Sequence, residues 1–365
     1  LLGYALQSAL EQTFEDYEIV VSNNFSLDST RQVVEELMHT RVRYVNTGKP
    51  LPIHDSWEFA LGHASGDYVV FLGDDDALHL GLLSMLSSLV AQHPADIVCW
   101  QRCQYFHPGY PLAGLANTLE IPLFSNTLHT VQSAKELSSL FRLRHTGGQP
   151  KLFNSICSRA LLQKIHKAIG RFFLPPNAPY TSCVLQLAST SEYILLDYPL
   201  SIAGHAPESS CDAILSQSEN LRSILEEFQD PVFEKVPLKG MTATNLLAES
   251  LLRAAGAFSP KLKEYNLDWK RYFMSYYNEL SRMGDRGADV AEQRKEFWHV
   301  VSEQSITFRL KLLSKMMLHQ VKGKVKARSR SMRALPIIRG ERKGFSNIYE
   351  CARSLEQLLL PAPLF

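Results

Sequence analysis

Asp74, Asp75 and Asp76 follow the apolar run Tyr68-Val69-Val70-Phe71-Leu72 and a single glycine, Gly73. Adjacent carboxylates repel one another, which makes such a group costly unless a cation lies beside it. Hard divalent cations take oxygen ligands and, with phosphate substrates, need only one or two carboxylates from the protein. The triplet therefore reads as a site for a divalent metal and a nucleoside diphosphate. A plainer reading stands beside it: Asp is a good N-cap and favours the positive end of a helix, so the acids would cap a helix beginning near Leu78. A cap needs one acid, and here there are three.

The elements that must position this group form a simple rhythm. The run Tyr68–Leu72 is apolar without alternation, as expected of a central parallel strand covered on both faces. Before it come a helix near the chain start, a strand at Tyr17–Ser22, a polar loop Asn23–Thr30 whose Ser26 or Asp28 can cap a helix to about His39, a strand at Val42–Asn46 and a helix near Asp55–Ala64. After it come a helix at Leu78–Gln92 and a strand at Asp96–Trp100. Strands alternating with helices imply an α/β fold with a mostly parallel sheet and flanking helices. In such sheets ligands bind beyond the carboxyl ends of the strands, which is where the acids fall.

The stretch Gln101–Asn126 loses the rhythm, and regular structure returns at Val131–Leu143. A short strand, a helix at Arg159–Ile169, a Pro-rich loop at Pro175–Pro179, a helix to Ser189 and a strand at Tyr193–Asp197 follow. We place a domain boundary there, with residues 1–210 as the site-bearing domain and 211–365 as a mostly helical C-terminal region. Within the latter, Arg309 to Arg333 holds nine Lys or Arg and no acid, with leucines and methionines in its front half. Such a stretch reads as a helix lying on an anionic membrane surface, as the solvated basic face of a helix packed on the domain, or as a disordered basic tail after Lys322.

Composition narrows the classes of function. The 365 residues carry a formal net charge of +1, so no global field draws nucleic acid. Six cysteines without paired spacing suit buried thiols in a reducing, cytoplasmic setting rather than a zinc site or disulfide frame. No apolar run is long enough to cross a membrane.

The succession Ala5-Leu6-Gln7-Ser8-Ala9-Leu10 to Tyr17-Glu18-Ile19-Val20-Val21, the loop Asn23–Thr30, and Gly66-Asp67-Tyr68 leading to Asp74-Asp75-Asp76 resemble family 2 glycosyltransferases of the GT-A fold. The resemblance covers the first 100 residues or so and continues weakly to Ser210. It implies a metal-dependent, inverting transfer from a nucleotide-diphosphate sugar, of UDP or dTDP type, to a saccharide or lipid-linked saccharide acceptor. It also implies polysaccharide biosynthesis on the cytoplasmic side, with peripheral membrane contact through the basic stretch.

Carried over residue by residue, Asp75 matches the second acid of the family's DxD element and is the expected metal ligand. Asp74 and Asp76 are expected to contact or support the donor, with Gly73 in place of the first motif acid. Asn23 and Asn24 stand where relatives hold an acid that reads the base, and an amide can still pair with uracil or thymine. Asp28 and Glu58 are further expected donor contacts, and His205 is expected to reach the metal or diphosphate. Relatives carry a general base between the equivalents of Pro179 and Tyr180, and no acid stands there, so the base is unassigned. The family's first strand has no counterpart before the opening helix, so the domain is expected to lack it. Two rival readings remain: a catalytically degenerate nucleotide- or glycan-binding or scaffold protein, and a nucleotidyltransferase.

Overall fold

The computed structural model describes the chain apart from residues 38, 113, 145–147, 208–231, 259–260, 286, 317–336 and 360–365. The first part alternates as α1 (Leu2–Leu10), β1 (Ile19–Asn23), α2 (Thr30–Leu37), β2 (Val42–Asn46), α3 (Ile53–His63) and β3 (Tyr68–Val69). Then come β4 (Ala77–Leu78), α4 (Leu82–Gln92), β5 (Ile97–Phe106), β6 (Thr118–Glu120), β7 (Leu128–Gln132) and α5 (Ser133–Phe141). They lead to β8 (Ser155–Ser158), α6 (Arg159–Ile169), α7 (Ala178–Ser189) and β9 (Glu192–His205). The C-terminal region contributes α8 (Ala243–Ala257), α9 (Trp269–Asp285), α10 (Ala291–Ser302), α11 (306–316), β10 (Ile337–Arg339) and α12 (Ile348–Leu358).

The α/β architecture with a helical C-terminal region is the expected one, but the sheet is mixed rather than mostly parallel. Among the described residues, β1–β2 and β5–β9 pair parallel, whereas β3–β8, β4–β9, β5–β6, β5–β8, β7–β9 and β10–β6 pair antiparallel. The cause is local. Between β5 and β6 the chain turns back without a crossover helix, and a short connection can join only antiparallel neighbours. Helix starts also shift: the expected helix from Leu78 begins at Leu82, because Ala77 and Leu78 bridge Ile202 and Ser201 of β9 instead.

The strand carrying the acids differs most from expectation. Only Tyr68 and Val69 bridge a partner, β8, while Val70, Phe71 and Leu72 are half-buried rather than covered on both faces. A strand is held by the bonds its neighbours supply, and on the side away from β8 no strand pairs with it among the described residues. The same is true of β1, whose only partner is β2. The two open edges face one cleft, lined by Ile19–Asn23 on one side and Tyr68–Asp76 on the other. Apolar side chains of both helix layers line it as well, among them Leu6 and Ala9 of α1, Leu86 of α4, and Trp57 and Leu61 of α3.

The sequence boundary at 210/211 falls among residues outside the described set. The described parts on either side of it share their cores. Leu137, Phe141, Val184 and Leu185 of α5 and α7 are buried with Leu247 and Leu251 of α8 and Tyr272, Phe273 and Tyr276 of α9. On the other sheet face, Leu82, Leu86 and Leu89 of α4 pack with Ile348, Cys351, Ala352 and Leu355 of α12. Cys99, Cys103, Cys157, Cys183 and Cys351 are free and buried, as expected, and burial pushes the Cys103 and Cys183 thiols up to about 12.

Candidate functional site

The acidic turn begins at Gly73, beyond the end of β3, and is fastened from the far side by β5 and β9. These two strands run parallel through Gln104↔Ala203, Tyr105↔Gly204 and Phe106↔His205, so their ends arrive together at the turn. Asp76 is buried, and its carboxylate accepts from Arg102 Nη2 at 2.6 Å and from the Gly204 backbone N–H at 2.9 Å. The Asp75 carbonyl accepts from His107 Nε2 at 3.0 Å, which fixes the Nε2–H tautomer because a carbonyl oxygen can only accept. Burial holds His107 below the usual imidazole range, favouring that neutral donor. Gly204 is required by contact: a Cβ there would lie 1.7 Å from the Asp75 carbonyl oxygen.

These contacts divide the triplet. Asp76 is committed to Arg102 and Gly204 and supports the turn from behind. Asp74 is exposed, Asp75 is half-buried, and both line the cleft. Burial, followed by the neighbouring Asp76 and Asp74 charges, raises the Asp75 carboxyl to about 7. A cation beside Asp75 and Asp74 would relieve that repulsion, and the donor set, carboxylate oxygens open to a phosphate ligand, fits Mg²⁺ or Mn²⁺.

His205 is also at the cleft, but it is engaged differently from expectation. Its ring stacks on Phe106 at 4.8 Å, and its Nε2 pairs with Gln104 Oε1 at 2.7 Å, so that nitrogen donates a proton and has no lone pair for a cation. Among the described residues no three His, Cys, Asp or Glu side chains converge as a ready metal cage.

On the β1 side the expected donor contacts serve the loop itself. Asn23 donates to the Tyr44 hydroxyl at 2.9 Å and accepts from the Ser26 N–H at 2.7 Å. Asn24 bridges to Leu51, donating to its carbonyl at 2.8 Å and accepting from its N–H at 2.9 Å. Both line the cleft, with the amide oxygen and one amide N–H of each engaged within the protein. Asp28, just before α2, accepts from the Thr30 N–H at 3.0 Å, and hydrogen bonds from the Thr30 side chain and backbone hold its carboxyl below the usual range. Glu58 turns away from the cleft and accepts from the N–H groups of Phe172 and Phe173, at 2.9 Å each. A carboxylate on that face of α3 satisfies backbone donors of the loop before α7, a role that sequence spacing does not reveal.

At the start of α7, Asn177 is the N-cap, accepting from the Tyr180 N–H at 3.3 Å, and the first turn holds no acid. Pro179 and Tyr180 line the cleft, and Lys151 Nζ sits 4.4 Å from the Tyr180 ring centre. The C-terminal region reaches the same cleft through Thr244, Ser275, Glu279 and Arg282. Glu279 is buried and caps α8, accepting from the Ala243 and Thr244 N–H groups at 2.6 and 3.0 Å. Arg102, His107 and Gly204 were missed at the sequence level. The only signal for them was their place at the ends of strands predicted too short.

The cleft encloses about 1680 Å³, enough for a nucleotide and an attached sugar. Residues 1–172 match the family model described as glycosyl transferase family 2. Over 89 residues the chain is 39% identical to the GalNAc(5)-diNAcBac-PP-undecaprenol beta-1,3-glucosyltransferase of Campylobacter jejuni, covering 24% of this chain and 29% of that protein. Over 144 residues it is 26% identical to the cholesterol galactosyltransferase of Borreliella burgdorferi, covering 36% of this chain and 38% of that one. The chain thus matches roughly a third of the length of these curated relatives.

Among solved structures, S. aureus TarS 1-349 in complex with UDP aligns over 88% of both chains at 17% identity and a TM-score of 0.46. Its complex with UDP-GlcNAc aligns over 77% of both at 18% identity and a TM-score of 0.45. Over residues 1–172 the chain is thus similar to glycosyl transferase family 2.

Proposed function

We propose that this chain transfers a glycosyl group from a nucleoside diphosphate sugar to a saccharide or lipid-linked saccharide acceptor, with inversion at the anomeric carbon. The observation that carries the reading is the acidic turn, held rigidly by Arg102, Gly204 and His107 with Asp74 and Asp75 open to the cleft, inside a region of family 2 sequence. Asp75, with Asp74, would hold Mg²⁺ or Mn²⁺; that ion supplies charge neutralisation to the leaving diphosphate. The protein's own part is orientation: Asp76 and His107 keep the turn in place before substrate arrives, so no reorganisation is needed as charge develops. A UDP or dTDP donor is the favoured class, with polysaccharide biosynthesis on the cytoplasmic side and peripheral contact with the inner face of the membrane.

Titration of UDP, dTDP and GDP by calorimetry, with and without Mn²⁺, tests the donor half on the wild type and on Asp75→Ala. Metal-dependent binding of one nucleotide, lost in Asp75→Ala, is the expected result; no binding by the folded protein sinks the reading. A second reading, a nucleotide-binding protein without turnover, is favoured by the start of α7, where Asn177 and Tyr180 stand and no acid is present. It predicts the same titration but no release of nucleoside diphosphate with any acceptor.

A further inference from the structure

Helix α11 has two unlike sides. Phe308 meets Phe273 of α9 with ring centres 5.7 Å apart, Leu312 is fully buried, and Met316 packs on the same core. Two residues turn an α-helix by roughly 200°, so Ile306 and Leu310 lie on the side opposite Phe308 and Leu312. They are 68% and 63% exposed, one turn apart, with Leu313 partly exposed a turn further on. On the helical wheel Arg309 borders this apolar stripe on one side, and on the other Thr307 and Ser314 separate it from the exposed Lys311 and Lys315. No acid occurs in the sequence between Glu303 and Glu341.

We propose that this outer face of α11 is a membrane-docking surface that inserts Ile306 and Leu310 into the headgroup region of an anionic bilayer, with Arg309, Lys311 and Lys315 on lipid phosphates. An apolar stripe flanked by cations on a helix held flat against a domain is the geometry of an interfacial helix. Charge complementarity selects the occupant. A second copy of the same face would bring like-charged borders together, and a nucleic acid would leave the exposed isoleucine and leucine against phosphates. An anionic bilayer matches both the stripe and its borders. The inference deepens the peripheral placement proposed above and rests on it, but not on turnover.

The test is flotation of the full chain with vesicles of phosphatidylglycerol and phosphatidylcholine in equal parts, and with phosphatidylcholine alone. The wild type is expected to float only with the anionic vesicles, less so as salt rises. The double variant Ile306→Glu/Leu310→Glu, and separately Lys311→Glu/Lys315→Glu, should each reduce vesicle partitioning at least about tenfold. Leu123→Glu, at another leucine that is 76% exposed, should leave it unchanged. Far-UV circular dichroism and the nucleotide titration accompany every variant, which separates misfolding, and failure of the transferase reading, from loss of docking. Wild type that stays in solution with anionic vesicles overturns the proposal. So does equal flotation of wild type and both double variants, or a concentration-dependent dimer that Ile306→Glu/Leu310→Glu abolishes.

Discussion

The acidic turn has a fastened side and an open side. Toward β5 and β9 every contact is specific: Arg102 and the Gly204 N–H hold the Asp76 carboxylate, and His107 holds the Asp75 carbonyl. Toward β1 neither strand edge is paired among the described residues, and the polar loop satisfies its own groups. The loop also carries Leu27, 92% exposed, and Phe25 with φ 61°, a left-handed backbone rare for an aromatic residue. The contrast teaches that the acidic end of the cleft is preorganised, while the end lined by β1 is built to a looser specification. Substitutions on the fastened side should therefore disable binding through geometry, and those on the open side should act on local stability.

The largest effect is expected from Gly204→Ala. Its Cβ would overlap the Asp75 carbonyl, and backbone cannot yield as a flexible side chain can. We expect a loss of about 3 kcal/mol or more in urea unfolding, together with loss of metal-dependent nucleotide binding. A variant that binds nucleotide as tightly as the wild type would show that the turn is not held from this side.

Arg102→Met comes next. It removes the cation from a buried carboxylate and leaves Asp76 with the Gly204 N–H, so unfolding should be easier by about 2–4 kcal/mol. Pairing it with Asp76→Asn should recover part of that loss, since the uncompensated charge is then gone. Additive losses would mean that the ion pair is incidental.

Asp75 makes the comparison visible in pH. Its carboxyl is raised to about 7, so between about pH 4 and 7 the folded chain keeps a proton that the unfolded chain releases. Stability of the metal-free protein should thus fall as pH rises through that window. Asp75→Asn should flatten this part of the Tm profile, and added Mn²⁺ should oppose the fall above about pH 7. A profile that rises across the window, or one unchanged in Asp75→Asn, would contradict the raised carboxyl.

The smallest effect belongs to the open side. Asn24→Ala removes the bridge to Leu51 and should lower stability by about 1–2 kcal/mol, with nucleotide affinity changed only slightly. A large, base-selective loss of affinity would instead return Asn24 to the role of reading the base.

Much of the fold was legible because it follows from local pattern. The βα alternation up to Trp100, the buried free thiols and the position of the acids at a strand end all came from residue type and spacing. Sheet direction was not, because β5 and β9 run to 10 and 14 residues by pairing with each other across an interval of almost a hundred positions. Glu58 illustrates the same limit within the site: on helix spacing it faces a donor, and in three dimensions it satisfies the N–H groups of Phe172 and Phe173.

The sequence by itself determined that three carboxylates end a strand of a family 2-like α/β chain, because strand hydrophobicity, loop chemistry and motif order are properties of neighbouring residues. Tertiary structure alone decided how those carboxylates divide. Asp76 became a support and Asp75 a half-buried, proton-holding ligand candidate because Arg102, His107 and Gly204 arrive from strands distant in the chain, and burial and charge act through space rather than along it.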